Sequence, residues 1–149
     1  MLRSLKPCRS GIVATESVVV LPTLIFLILA TVVGGYGVFR YQQLSMLARE
    51  GARYASVHGG QYQLETGYPA ATAQDIYNNA IVPLATLDLS QLTYSVSWNA
   101  DNMPYSVNGD YETSTNNTVT VTVYYKWFPE AYLVGPITMS STSTMPMSY

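Results

Sequence analysis

The hydrophobic positions change their spacing along the chain, being continuous at first, then three or four residues apart, and finally two apart. Residues 17–39 are apolar or small and carry no charge. As an α-helix this run would be about 34 Å long, which suffices to cross a hydrocarbon core of about 30 Å. Pro22 lies within the run, and membrane helices tolerate proline, usually with a kink. The pattern therefore predicts one membrane span over residues 17–39.

Helical spacing continues beyond the span, over residues 41–57. Apolar and small residues recur there at intervals of three and four, which places them on one stripe of a helix. The second half of this stripe consists of small residues, namely Ala48, Gly51, Ala52 and Ala55. Because small side chains let another helix approach closely, we predict that these four residues form a helix-packing surface. The two glycines after His58 predict that the helix ends near Val57.

In the C-terminal half of the chain the period changes to two. Residues 92–98 and 118–127 alternate between apolar and polar side chains, which predicts two half-buried strands. Residues 137–144 form a weaker third candidate strand. Such alternation is typical of an antiparallel sheet that has one buried face and one wet face.

Shorter segments separate these elements. Residues 61–69 are predicted to be a loop, and residues 70–82 a short helix with Thr72 as its N-cap. The stretch 99–117 is polar, and Gly109 and Asn116-Asn117 are candidate turn residues within it. The predicted fold class is therefore α+β, with a long N-terminal transmembrane helix that continues into a small extracytoplasmic domain made of a short helix and an antiparallel sheet.

Composition and charge exclude several classes of function. Only 11% of the 149 residues are charged, against about a quarter in soluble globular chains. From Gly59 onward the acidic residues far outnumber Lys126, the only basic one, so a nucleic-acid partner is not expected. The single cysteine, Cys8, precedes the apolar run. It cannot form a disulfide within the chain, and it is misplaced for a lipoprotein anchor.

No constellation of residues predicts catalysis, a metal site or a cofactor. His58 is the only histidine, and without a second histidine or a nearby cysteine it fits the end of a helix better than a metal site. The carboxylates in the polar stretch do not have the spacing of a calcium-binding EF-hand and are interpreted as solvated loop acids. Some of the 13 tyrosines fall on predicted apolar strand faces, whereas others lie in loops, where core and adhesive roles both stay open.

The most informative spacing lies before the span. A basic, acid-free segment containing Arg3, Lys6 and Arg9 leads to Gly11, and Glu16 follows five residues later. If the chain is cut after Gly11, Glu16 becomes the fifth residue of the mature protein. This is the arrangement of type IV pilin precursors, whose leader peptidase cuts before the hydrophobic segment and leaves that segment in place.

The carboxylate of Glu16 has a physical role to match. An unpaired carboxylate in a membrane helix costs about 2.5–3.5 kcal/mol. The new ammonium group at Ile12 is a natural partner, in the same subunit or in a neighbour, and the pairing would set the axial register of packed helices. The alternative is that Glu16 lies at the membrane interface and is merely solvated, with Gly11 as an ordinary linker residue.

The chain resembles the TadE-like family of pseudopilins from the tight-adherence, Flp-type pilus system. The resemblance is strongest over residues 9–58 and looser beyond, although Ser17 stands where the family often has a large apolar residue. The matching pieces are Arg9-Ser10-Gly11, Thr15-Glu16, Leu21-Pro22, Gln43-Leu44, the octet AREGARYA at residues 48–55, the alternating Val119, Val121, Val123 and Tyr125, and the closing Ser/Thr-rich strand with Met145-Pro146.

The resemblance implies a minor pilin-like subunit that is not an enzyme. Such a subunit is processed by a prepilin peptidase and then incorporated into a pilus or needed to prime it. Its implied partners are other pilin-like subunits and the pilus assembly platform, which it meets through the N-terminal helix, together with membrane lipid.

The predicted organisation is a leader over residues 1–11, a long helix over 12–57 and an extracytoplasmic domain over 58–149. Basic residues are balanced on the two sides of the span, but the basic leader favours a cytoplasmic N-terminus in the bacterial inner membrane. Two alternatives stay open. One is an uncleaved, signal-anchored envelope protein that binds a partner, and the other is a secreted binding module released by cleavage near Gly34-Gly35.

Overall fold

In the computed structural model the described residues are 10–107, 114–129 and 135–148, with backbone alone for residues 10–13, 105–107 and 114–115. The basic residues of the predicted leader, Cys8 and the candidate turn residue Gly109 therefore lie outside the described part. The chain divides into two compact units, Met1–Tyr36 and Gly37–Tyr149. The predicted boundaries of the leader and of the extracytoplasmic domain stay predictions.

Helix α1 is a single element, Ser10–Val57, that contains both predicted helical patterns. It begins before the uncharged run, continues through Pro22 and ends where the paired glycines predicted. Within it, an 18-residue window reaches a mean hydropathy of 2.6 with none of the window buried. The long helix and its candidate membrane span are thereby confirmed.

Three strands form the main antiparallel sheet, in the order β1-β4-β5. Strand β1 is Leu92–Trp98, β4 is Thr118–Trp127 and β5 is Ile137–Pro146. The two predicted strands agree with these bounds, and the third is two residues longer than predicted. In the register Val121 lies opposite Val96 and Ser143, so the alternating apolar positions of neighbouring strands share one face.

The segment between β1 and β4 contains a second, two-stranded sheet, which was not predicted. Strand β2 is Tyr105–Val107, and β3 is Ser114–Asn116. Asn116 therefore lies in a strand, and the prediction of a turn at this position was wrong. Each of these strands has only three residues, which is too few for an alternation of apolar and polar side chains to predict a strand.

The predicted loop over residues 61–69 was also wrong, because helix α2, Gly60–Thr66, occupies most of it. The amide of Gly60 donates to the carbonyl oxygen of Asn102 at 2.7 Å, so a distant segment holds the first turn. The helix ends at Gly67, whose φ of 76° lies in the left-handed region that glycine adopts without a steric cost.

Helix α3, Ala73–Ile76, continues as a π-helical turn, Tyr77–Ile81, and a 3₁₀ turn, Val82–Leu84. A further 3₁₀ turn, Leu89–Gln91, precedes β1. The predicted N-cap at Thr72 is confirmed: its side-chain oxygen accepts from the amide of Asp75, and its own amide donates to the Asp75 carboxylate at 3.0 Å. Hydrogen bonds from the side chain and the backbone of Thr72 lower the pKa of Asp75.

The C-terminal part of α1 covers the buried face of the main sheet. Leu44 and Leu47 are buried from its side, and Val119, Val121 and Val123 from the sheet. The helical segment predicted over residues 70–82 also contributes to this layer, through the buried side chains of Ile76 and Ile81. The contribution of the long helix to the same layer was not predicted.

Candidate functional site

The predicted cleavage site lies in the first turns of α1. Gly11 and Ile12 have helical backbone, directly after the first residue of the helix. Glu16 follows one turn after Ile12 and is exposed. It lines a shallow surface depression together with Ser17, Val20, Leu21 and Leu24. A carboxylate is thus presented to the surroundings amid mainly apolar side chains.

This arrangement suits an electrostatic partner from outside the described residues. Within the part of the chain that the structure describes, Glu16 forms no ion pair. Residues four apart on a helix are neighbours on its surface, so an ammonium group at Ile12, or one from a second helix, can approach the carboxylate. The pairing role of Glu16 stays a prediction, as does cleavage after Gly11.

The four small residues predicted to pack against another helix are buried within this chain. Ala48 and Ala52 are 0% exposed, and Ala55 and Gly51 are also buried. A Cβ atom placed on Gly51 would lie 3.2 Å from Cγ1 of Val121 and 3.5 Å from Ile81. The close approach that small side chains permit is therefore used here by the sheet and the α3 region.

Packing of these four residues against a second helix stays a prediction. On this part of α1, the large hydrophobic side chains that remain exposed are different ones, Tyr41, Met46 and Val57. A neighbouring subunit can reach these three without displacing the sheet. Arg53, which forms an exposed ion pair with Glu50 at 3.8 Å, lies on the same helix segment, and such a pair adds little stability by itself.

His58 lies at the end of α1, in a position that fits the predicted helix-end role. Its Nδ1 atom is 2.9 Å from the carbonyl oxygen of Tyr54, and its ring stacks on the Tyr54 ring with centroids 4.0 Å apart. Among the described residues there is no group of three or more His, Cys, Asp or Glu side chains that could hold a metal ion.

Sequence reasoning missed Asn117, which joins three segments of the domain. Its fully buried side-chain amide donates to a carboxylate oxygen of Asp101 and, at 3.0 Å, to the carbonyl oxygen of Met103. Its backbone amide donates to the Pro104 carbonyl, and its carbonyl accepts from the amide of Met147 at 2.8 Å. The sequence gives no signal for this role, because an asparagine among polar neighbours resembles any turn residue.

We expect Asn117→Ala to lower the free energy of unfolding by about 2–3 kcal/mol, because the variant removes two hydrogen bonds of a fully buried side chain, one to a carboxylate and one to a backbone carbonyl. Asn116→Ala, at the exposed neighbouring position, should change it by less than about 0.5 kcal/mol. Chemical denaturation of the full chain in detergent micelles, followed by circular dichroism, measures both. Equal effects of the two substitutions would contradict the role assigned to Asn117.

The tail of the chain is tied to the end of α1 through Ser56. The Ser56 hydroxyl donates to the carbonyl oxygen of Pro146 at 2.7 Å, and the Ser148 amide donates to the Ser56 carbonyl at 3.0 Å. The last helical turn of α1 is therefore held at the end of β5, which fixes the long helix against the sheet at its C-terminal end.

At the opposite end of this contact, the ring of Trp127 lies against Gly37. A Cβ atom on Gly37 would be 3.0 Å from Cζ3 of Trp127, so glycine lets the indole approach the helix backbone. Nearby, the Gln43 amide donates to the Thr86 hydroxyl at 2.7 Å and accepts from Arg40 at 3.4 Å. These contacts hold the end of β4 and the segment before β1 to α1, at the point where the uncharged run ends.

These features define an α+β protein that has a candidate N-terminal membrane anchor and a small sheet domain packed on the same helix. Residues 11–53 match the model of the family described as TadE-like protein, which confirms the resemblance over that segment. The match suggests a protein associated with the Tad pilus, a class that is generally structural rather than enzymatic. Comparisons with curated proteins and with solved structures found no match.

Proposed function

We propose that the protein is a minor pilin-like subunit, a pseudopilin, of a tight-adherence type IV pilus. It is needed for assembly of the pilus or is incorporated into it, and its role after leader cleavage is structural. The observation that supports this most strongly is the extent of the family match. Residues 11–53 include the proposed cleavage site, Glu16, the candidate span and the first six residues of the octet, 48–53.

The geometry of α1 supports the proposed mode of assembly. The apolar window of its N-terminal part is not buried by the rest of the chain, so that surface is available first to lipid and then to neighbouring helices. Pairing between Glu16 and an Ile12 ammonium group fixes the axial position of one subunit against the next. The proposed partners are a prepilin peptidase, other pilin-like subunits, the assembly platform and membrane lipid.

The proposed location is the bacterial inner membrane, with a single span and the sheet domain on the extracytoplasmic side. In the assembled state the same domain faces outward from the bundle of helices. The basic, acid-free leader before an apolar run has the shape of an export signal, which supports this orientation.

The mature N-terminus tests this function directly. We expect intact-mass and terminal-peptide analysis of the membrane fraction to show a chain that begins at Ile12. Gly11→Leu should block the cut because it enlarges the residue before the scissile bond, whereas Ser10→Ala, one position earlier, should be processed normally.

Other N-termini would contradict the proposal, each in its own way. A chain that keeps Met1 to Gly11 would indicate the uncleaved, signal-anchored protein. A chain that begins near Tyr36 and is recovered outside the membrane fraction would indicate the secreted binding module.

A further inference from the structure

Apolar and basic side chains lie together at the end of the sheet where α1 leaves the uncharged run. Trp127 lies against Gly37, and Ile137 is paired with Trp127 across β4 and β5. We call this group the membrane-proximal rim. It consists of Gly37, Arg40, Lys126, Trp127, Phe128 and Ile137.

The position of the rim along α1 sets its distance from the membrane. The uncharged run ends at Phe39, and Arg40 is the first charged residue after it. Gly37 belongs to this final turn, so the proposed span places the indole that contacts Gly37 about one helical turn from the level where α1 leaves the hydrocarbon.

The exposed members of the rim have the chemistry of a lipid headgroup region. Phe128 is 49% exposed, and Ile137 is also exposed, so apolar surface is open at this end of the sheet. The ammonium nitrogen of Lys126 lies 5.3 Å from the centroid of the Phe128 ring. An aromatic ring under a flexible cation can enter the interface while the cation reaches the phosphates.

Two basic residues, Arg40 and Lys126, belong to the rim. Lys126 is the only basic residue after Arg53, and it lies at this end of an otherwise acidic segment. Asp88, which precedes β1 near the same end, accepts the Ser90 amide at 3.0 Å, and its pKa is lowered by this hydrogen bond to Ser90. Arg40 and Lys126 outnumber that single carboxylate, so the described part of the rim complements anionic lipid.

We propose that the membrane-proximal rim docks onto the phospholipid headgroups around the exit of α1, with Phe128 and Ile137 in the interface and Lys126 on anionic phosphates. The sheet domain of the unassembled subunit then contacts the membrane as well, in addition to the span of α1. This inference rests on the proposed membrane anchorage. It adds to the proposed function a defined lipid-facing surface that must leave the bilayer when the subunit enters a pilus.

The test places an environment-sensitive fluorophore at one of two exposed apolar positions of the full chain. In a Cys8→Ser background, Phe128→Cys carries the label at the rim. Leu64→Cys, in α2, is the matched control, because Leu64 is 71% exposed and lies beyond the far end of α1, about 30 Å along the helix from Gly37. Both proteins are reconstituted into vesicles of neutral or partly anionic phospholipid that contain a lipid with a nitroxide at headgroup depth.

We expect a blue-shifted emission and strong quenching for the label at position 128, and the emission of a water-exposed label at position 64. Lys126→Gln should reduce the ratio of docked to undocked protein by about fivefold in anionic vesicles and should change it little in neutral ones. A substitution that only disturbed folding would move both labels in both kinds of vesicle.

Two results would overturn the inference. Water-like emission at position 128, equal to that at position 64, in a protein that resists carbonate extraction would show that α1 is anchored and the rim is not docked. Extraction of the whole protein by carbonate would contradict the anchorage itself, and with it the proposed function.

Discussion

Replacing Glu16 by alanine is expected to abolish pilus assembly while the protein itself remains in the membrane. The reason is that Glu16 is exposed on an apolar helix, in a segment that matches the TadE-like family. A membrane-embedded carboxylate costs about 2.5–3.5 kcal/mol unless it is paired. If packing of subunits relieves this cost, the relief favours assembly of the natural protein. Loss of the carboxylate then lowers the equilibrium constant of assembly by about two orders of magnitude.

Two further variants separate the causes of such a loss. Glu16→Gln keeps the size and the hydrogen-bonding capacity of the side chain but removes its charge, so it should fail like alanine if an ion pair is needed. Glu50→Ala removes the other carboxylate of α1, which pairs with Arg53 on the surface, and should assemble normally. Sheared surface fractions measure pilus output. Normal output from Glu16→Ala would exclude a role for this carboxylate in helix register.

The second large effect is expected from Trp127→Ala, which should lower the free energy of unfolding by about 3–5 kcal/mol. Trp127 is 4% exposed, at the end of the central strand β4. Its ring fills the space above Gly37, where a Cβ atom would already be at 3.0 Å. Its removal therefore leaves a cavity between the sheet and the long helix.

The adjacent aromatic residue supplies the control. Phe128→Ala should cost less than about 1 kcal/mol in detergent micelles, because half of that side chain is exposed in the absence of a bilayer. Denaturation of the full chain in micelles, followed by circular dichroism, compares the two. Similar losses for both variants would mean that the indole does not join the sheet to α1. A selective effect of Phe128→Ala in vesicles would instead report lipid docking.

Local patterns were sufficient for the elements whose causes are local. The uncharged run and the stripe after it predicted α1, and strict alternation predicted β1 and β4 within their observed bounds. Thr72 was recognised because an N-cap depends on residues three positions away. In contrast, α2 was missed because its first turn is held by the carbonyl of Asn102, far away in the sequence.

For the candidate site, the sequence by itself determined the spacing of Gly11, Ile12 and Glu16 before an apolar helix, since that spacing is a property of consecutive residues. Only the tertiary structure decided what covers Ala48, Gly51 and the other small residues of the stripe. Small side chains permit close approach by any neighbour, and here that neighbour is Val121 of the same chain. The buried amide of Asn117 and the indole on Gly37 were likewise decided by folding, because their partners are distant in the sequence and come together only when the sheet packs on α1.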